Sequence, residues 1–234
     1  MKIAILDVVP EVYWREDKGR NDGVKFESLL REQLPDADLH VFSVTCNEWP
    51  DSPEKYDGYL LSGSPCSASN HYTWTSRLAA LVGQIIDRKQ RLIGVCFGHQ
   101  FIAQQLGGGV ERLETGWMIG LRDLHVRNHQ PWMTPAESHT KLHYFNQDHV
   151  CRLPENATAL GSETDCPFAA YAVSNHIFCL QAHPEQKRDS MQNFIGVSRG
   201  AIHNDVLDKA LESMQNADPD AALWGQWMSQ FYTQ

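Results

Sequence analysis

The chain has 234 residues, 42% hydrophobic and 21% charged, with a net charge of −9. A chain of that size removes roughly 70% of its unfolded surface from water on folding, so it needs no metal or disulfide staple, and disordered or collagen-like classes are excluded. The acidic balance opposes nucleic-acid binding, because no basic run is longer than Lys187-Arg188. No stretch approaches the roughly 18 consecutive apolar residues of a membrane span.

The chain opens on Met1-Lys2-Ile3-Ala4-Ile5-Leu6-Asp7, a buried-strand pattern lacking the long apolar region and cleavage site of a secretory signal. This predicts a cytoplasmic protein. Val24 to Leu34 carries helical spacing through Phe26, Leu29, Leu30 and Leu34, and Pro35 ends it. Asp38 to Val44 alternates like a strand, and Tyr59-Leu60-Leu61 is a short buried strand. Thr73 to Lys89 reads as a helix with Leu78, Leu81, Ile85 and Ile86 on one face. Leu92 to Val95 is again a strand, and Gly98 to Leu106 a helix stopped by Gly107-Gly108-Gly109. Strands alternating with helices predict an α/β fold, an open, mostly parallel twisted sheet with helices on both faces. Residues 110–126, 141–152 and 168–181 read as successive strands, which adds a small antiparallel portion. Helices return over Ser190 to Val197, Asn204 to Met214 and Asp218 to Phe231. With no internal repeat and no long linker, residues 1–234 are expected to form a single domain with a helical C-terminal extension from about residue 200.

Chemistry concentrates in Gly94-Val95-Cys96-Phe97-Gly98-His99-Gln100. A cysteine between a buried strand and a helix, with glycine two residues to either side, is the thiol version of the G-x-S-x-G nucleophile elbow. The tight turn strains the nucleophile's backbone, and side chains at ±2 would collide with it. It also sets the thiol at a helix N-terminus, where partial positive charge favours thiolate. A second segment, Phe178 to Ala182, is strand-like and ends in His183-Pro184-Glu185. A nucleophilic cysteine needs a base and the base an orienting carboxylate, roles that suit His183 and Glu185. A third segment runs from Asp57 through Tyr59-Leu60-Leu61 into Ser62-Gly63-Ser64-Pro65, a glycine loop able to offer backbone N–H groups to an oxyanion. None of the six cysteines forms a C-x-x-C pair.

Together these segments resemble the class I (triad-type) glutamine amidotransferases, most nearly the free-standing branch similar to GMP synthase. That family places a glycine-rich oxyanion loop, a G-x-C-x-G-x-Q elbow and a C-terminal H-x-E in this order, and the likeness covers roughly residues 1–200. The resemblance implies a flavodoxin-like sheet, Cys96 as nucleophile, His183 as base and Glu185 as its orienter. It also implies an oxyanion hole from the N–H groups of Gly63 and Phe97, with Gln100 helping to hold the substrate. Two positions depart from the family pattern. Ser64 replaces the second glycine of S-G-G-P, and Asn146 in Phe145-Asn146-Gln147-Asp148 stands where the family usually carries histidine. The implied activity is attack on the glutamine side-chain amide, releasing ammonia and then glutamate through a thioester. The alternatives are a γ-glutamyl peptidase using the same triad and a non-catalytic regulatory or binding subunit. A small-molecule substrate is expected, and no cofactor. No phosphate-binding loop follows residue 190, so any coupled synthetase would be a separate partner chain.

The pairs His125/His129 and His139/His143 have spacing four but lie in extended stretches without a third ligand, so no metal site is expected. Leu223, Trp224, Trp227, Met228 and Phe231 share one face of the last helix, a face expected to pack on the domain.

Overall fold

The computed structural model describes residues 1–16 and 21–234. Its main element is a nine-stranded sheet in the order β2-β1-β3-β4-β11-β10-β9-β6-β7. The strands β1 (Lys2–Asp7), β2 (Asp38–Ser43), β3 (Gly58–Leu61), β4 (Arg91–Val95) and β11 (Ile177–Leu180) pair in parallel. The strands β10 (Cys166–Val173), β9 (Ala157–Glu163), β6 (Met118–Val126) and β7 (His139–Asn146) continue the same sheet antiparallel. A two-stranded sheet of β5 (Gly109–Arg112) and β8 (Asp148–Arg152) stands apart.

The parallel strands read as unbroken apolar runs because both their faces are covered. Successive side chains of β1 point to opposite sides. Ile3 and Ile5 join α1 (Asp22–Gln33) and α6 (Ala221–Thr233) in one core, through Phe26, Leu30, Trp224 and Phe231. Ala4 and Leu6 join α2 (Thr75–Asp87) and α3 (Phe97–Gln105) in the other, through Leu78, Val82, Ile85 and Ile102. A third cluster seats α4 (Arg188–Val197) and α5 (Asn204–Ser213) on Ile119 and Leu121 of β6. Among the described residues no helix is long and apolar enough to cross a membrane.

In the antiparallel flank, each stretch expected to be one strand is two. Residues 110–126 break at a turn where Gly116 takes φ +88° and bonds back to Leu113. Residues 168–181 break at a hairpin where Ser174 takes φ +53° between paired Val173 and Ile177. Residues 141–152 divide between two different sheets at Gln147. Strand β9, Ala-Thr-Ala-Leu-Gly-Ser-Glu, went unread because little in it favours a strand until β10 and β6 flank it.

Register positions the site. Leu180 pairs with Val95 and Leu61 with Gly94, so the segments leaving β11, β4 and β3 emerge side by side at the carboxyl edge of the sheet. Open α/β sheets bind ligands at that edge.

The aromatic face of α6 is wholly buried, as its spacing led us to expect. Trp224 stacks on Phe178 of β11 at 6.2 Å, Trp227 meets Trp224 at 4.9 Å, and the Tyr232 hydroxyl donates to the Tyr59 carbonyl at 2.7 Å. Trp224→Ala should therefore cost about 3–5 kcal/mol of stability, read as a lowered urea midpoint at unchanged slope.

Candidate active site

Cys96 follows β4 directly and caps α3 with φ +50° and ψ −101°. Few L-residues adopt this region, and strain of this kind concentrates at functional positions. The two glycines that flank it are required by sterics. A Cβ on Gly98 would collide with the Leu61 carbonyl, and one on Gly94 would come within 2.7 Å of the Gly98 carbonyl oxygen. The Cys96 amide donates to the Leu180 carbonyl at 2.9 Å, which ties the turn to the strand leading to His183.

His183 lies three residues beyond β11, and its amide donates to the His143 carbonyl at 2.8 Å. Its Nδ1 is hydrogen-bonded to Glu185 Oε1 at 2.7 Å, with both side chains buried. Burial alone would depress the imidazole pKa. The Glu185 carboxylate and the Cys96 sulfur outweigh it and raise the pKa well above the ordinary histidine value. With Nδ1 turned to Glu185, Nε2 remains for the thiol. His99 is excluded as a rival base. Its Nε2 is bonded to the Phe168 carbonyl at 2.8 Å, and burial pushes its pKa down to about 3.

The loop after β3 brings Gly63 against the same pair. A Cβ there would lie 2.9 Å from His183 Cε1 and 3.5 Å from the Cys96 Cβ, so only glycine admits the imidazole. Phe97 opens α3, and its N–H belongs to the first turn, where no intrahelical acceptor exists. Ser64 fixes the loop. Its hydroxyl donates to the Val8 carbonyl at 2.7 Å and accepts from the Cys66 amide at 3.2 Å.

Gln100 and Asn146 do not reach the cavity wall described below. The Gln100 amide donates to the Asp148 carbonyl at 2.7 Å and to Gln181 Oε1 at 3.0 Å, and the Asn146 amide donates to the same Asp148 carbonyl at 3.0 Å. The histidines of spacing four also separate. His125 faces His139 across β6 and β7 at 4.6 Å, while His143 is buried and its pKa is pushed down to about 4. Among the described residues, the one cluster of three ligand-capable side chains is Asp22, His183 and Glu185.

Cys96 and His183 open into a cavity of about 430 Å³, within the range of small-molecule sites. Its walls include Tyr13, Ser64, Phe145, Met191 and Phe194. They also include Asp22, Lys25 and Gln186, which sequence reasoning missed. Asp22 and Lys25 read as the ordinary first turn of a helix. Gln186 directly follows the H-x-E segment, and that adjacency was the available signal.

Below the site, Asp7 at the end of β1 accepts from Asn21 Nδ2 at 2.8 Å and from the Gly23 amide at 3.2 Å. Burial, then the nearby Asp22 charge, raises its pKa from 3.8 to about 7. Between those values the folded chain keeps a proton that the unfolded chain has lost. This contribution to stability is full below about pH 4 and disappears as pH rises through about 7. Urea midpoints of wild type and Asp7→Asn, compared at pH 5 and pH 8, should show a smaller fall with rising pH in the variant.

A family model described as glutamine amidotransferase class-I matches residues 21–195. Gamma-glutamyl peptidase 3 of Arabidopsis thaliana is 31% identical over 218 residues, 85% of this chain and 83% of that protein. A probable GMP synthase of Leptospira interrogans is 33% identical over 185 residues, 74% of this chain but 30% of that protein. The crystal structure of a glutamine amidotransferase from Thermotoga maritima shares the fold, with a TM-score of 0.82 over 100% of this chain and 99% of that one at 18% identity.

Proposed function

Because the chain belongs to the class I glutamine amidotransferase family, we propose that it is a cysteine amidohydrolase cleaving the γ-amide of glutamine or of a γ-glutamyl conjugate. The observation that carries this reading is the strained Cys96 at the strand-to-helix turn, sharing one cavity with a His183 already bonded to Glu185.

The steps follow from the groups present. His183 takes the Cys96 proton, and Sγ attacks the γ-carbonyl carbon. The carbonyl oxygen becomes an oxyanion received by the N–H groups of Gly63 and Phe97. His183 returns the proton to the nitrogen, the C–N bond breaks, and ammonia or an amine leaves a γ-glutamyl thioester on Cys96. Water, deprotonated by His183, then attacks the thioester, and glutamate departs as Sγ regains its proton. Glu185 holds the imidazole tautomer and stabilises the imidazolium throughout. The raised pKa of His183 fits a group that must hold a proton between the two transfers.

Losing His183 removes the base, whereas losing Glu185 loosens only its orientation. His183→Ala should lower kcat by at least as much as Glu185→Ala, each by about 10²-fold or more, measured by glutamate release. Unchanged hydrolysis in His183→Ala would overturn the assignment.

The leaving group separates two readings. Amidotransferase chemistry releases ammonia from glutamine, the activity we place first. Two observations favour a γ-glutamyl peptidase as the second. The cavity of about 430 Å³ is of a size that takes ligands larger than glutamine, and the Arabidopsis relative named a gamma-glutamyl peptidase aligns over most of both chains. Comparing kcat/KM for glutamine and for γ-glutamyl dipeptides on the purified chain decides between them. A preference for dipeptides above about a hundredfold, equivalent to about 2.7 kcal/mol in the barrier, selects the peptidase.

A further inference from the structure

The groups of the proposed mechanism handle the carbonyl and the proton, and none of them holds the substituent carried by the leaving nitrogen. The cavity that contains them extends to α4. Met191, Phe194 and Val197, at i, i+3 and i+6, turn one apolar stripe of that helix toward it. Phe145 of β7 adds an aromatic ring to the same wall. The Phe145 and Phe194 rings meet edge to face at 6.3 Å, and Trp117 backs Phe145 at 5.6 Å.

The wall is firm at its base and open at its edge. Met191 is buried, and Phe145 and Phe194 pack on the cluster that seats α4 and α5. Val197 continues the stripe but is 78% exposed, and Tyr13, which lines the same cavity, is 56% exposed. Large apolar side chains left in water at a cavity edge gain by burial under a ligand. The position suits the substituent. The leaving nitrogen must reach His183 for its proton, and the His183 amide is bonded to the carbonyl of His143, two residues before Phe145 on β7. The same strand thus holds the segment of the base and carries Phe145, and both side chains open into one cavity. A group on that nitrogen has the apolar wall beside it.

We propose that Phe145 and the Met191, Phe194 and Val197 stripe form the subsite for the leaving amine, so that among γ-glutamyl conjugates the enzyme selects those of apolar amines, alkyl or aryl. This rests on the reading that Cys96 attacks a γ-glutamyl carbonyl, and it gives the second leaving-group reading its substrate class. Cleavage runs by the steps already described. The nitrogen takes the proton from His183 as the C–N bond breaks, and the amine departs from the apolar wall. The place it vacates admits the water that hydrolyses the thioester.

The test uses the full chain and the γ-glutamyl amides of methylamine, butylamine and 2-phenylethylamine. These amines have similar basicity, so the substituent alone varies. In the wild type kcat/KM should rise along the series, to about thirtyfold for the phenylethylamide over the methylamide. Val197→Asp sets a carboxylate at the cavity edge, and Phe194→Ala removes a ring from the wall. Each should cut that preference by about tenfold. Damage to the fold alone lowers both amides together and leaves the ratio where it was. The subsite stands if either variant lowers the ratio. A flat series, a ratio kept in both variants, or cleavage of glutamine alone overturns it. If neither glutamine nor any amide is cleaved, the catalytic reading fails, and calorimetry with the intact amides decides the subsite separately. Tighter binding of the phenylethylamide than of the methylamide, with the difference reduced in Val197→Asp, sustains it. Equal binding of the two, no binding, or a difference that Val197→Asp leaves intact overturns it.

Discussion

A single backbone bond, from the Cys96 amide to the Leu180 carbonyl at 2.9 Å, aligns the two halves of the site. It is the last rung of the parallel ladder between β4 and β11, in which Leu180 opposes Val95. A slip of one residue in that ladder would turn every following side chain to the other face of the sheet. Cys96 and the His183 segment would then no longer meet, and neither would the glycine loop that the adjoining ladder holds against Gly94. Precision at the reacting atoms is thus inherited from strands buried on both faces, whose register the two cores enforce.

The charges near those atoms form a second layer of constraint. Glu185 faces His183, Asp22 faces Lys25, and Gln186 links the two pairs by donating to one carboxylate of each. Beneath them, burial and then the proximity of Asp22 raise the Asp7 pKa to about 7. Each acid beside the site is thus held by a specific partner, and Gln186 ties the two pairs into one network.

The reacting groups were legible because their chemistry dictates local sequence. Glycine at 94 and 98 is the only residue that clears Gly98 and Leu61, so the elbow announces itself in seven letters. The α/β alternation was equally plain in β1, β3 and β4, whose apolar runs reflect two-sided burial. The antiparallel flank was not, because the turn at Gly116 sends β5 and β6 to different sheets and β9 becomes a strand only between β10 and β6, pairings that no local pattern announces. Asp22 and Lys25 were invisible for a related reason. An acid and a lysine three apart in a first helical turn look like any solvated surface pair until tertiary packing buries them. Likewise, only the structure shows that Ser64 secures its loop through the Val8 carbonyl, where the departure from the family glycine had suggested only a difference.

The burial of α6 has a consequence for how the protein comes into being. One face of β1, β3 and β4 is closed by Trp224, Trp227 and Phe231, residues made more than a hundred positions after the strands they cover. At ribosomal rates of roughly 5–20 residues per second, that face waits on the order of ten seconds for its cover. During translation those strands thus have no cover for one apolar face until α6 is made, an exposure that the packed molecule does not reveal.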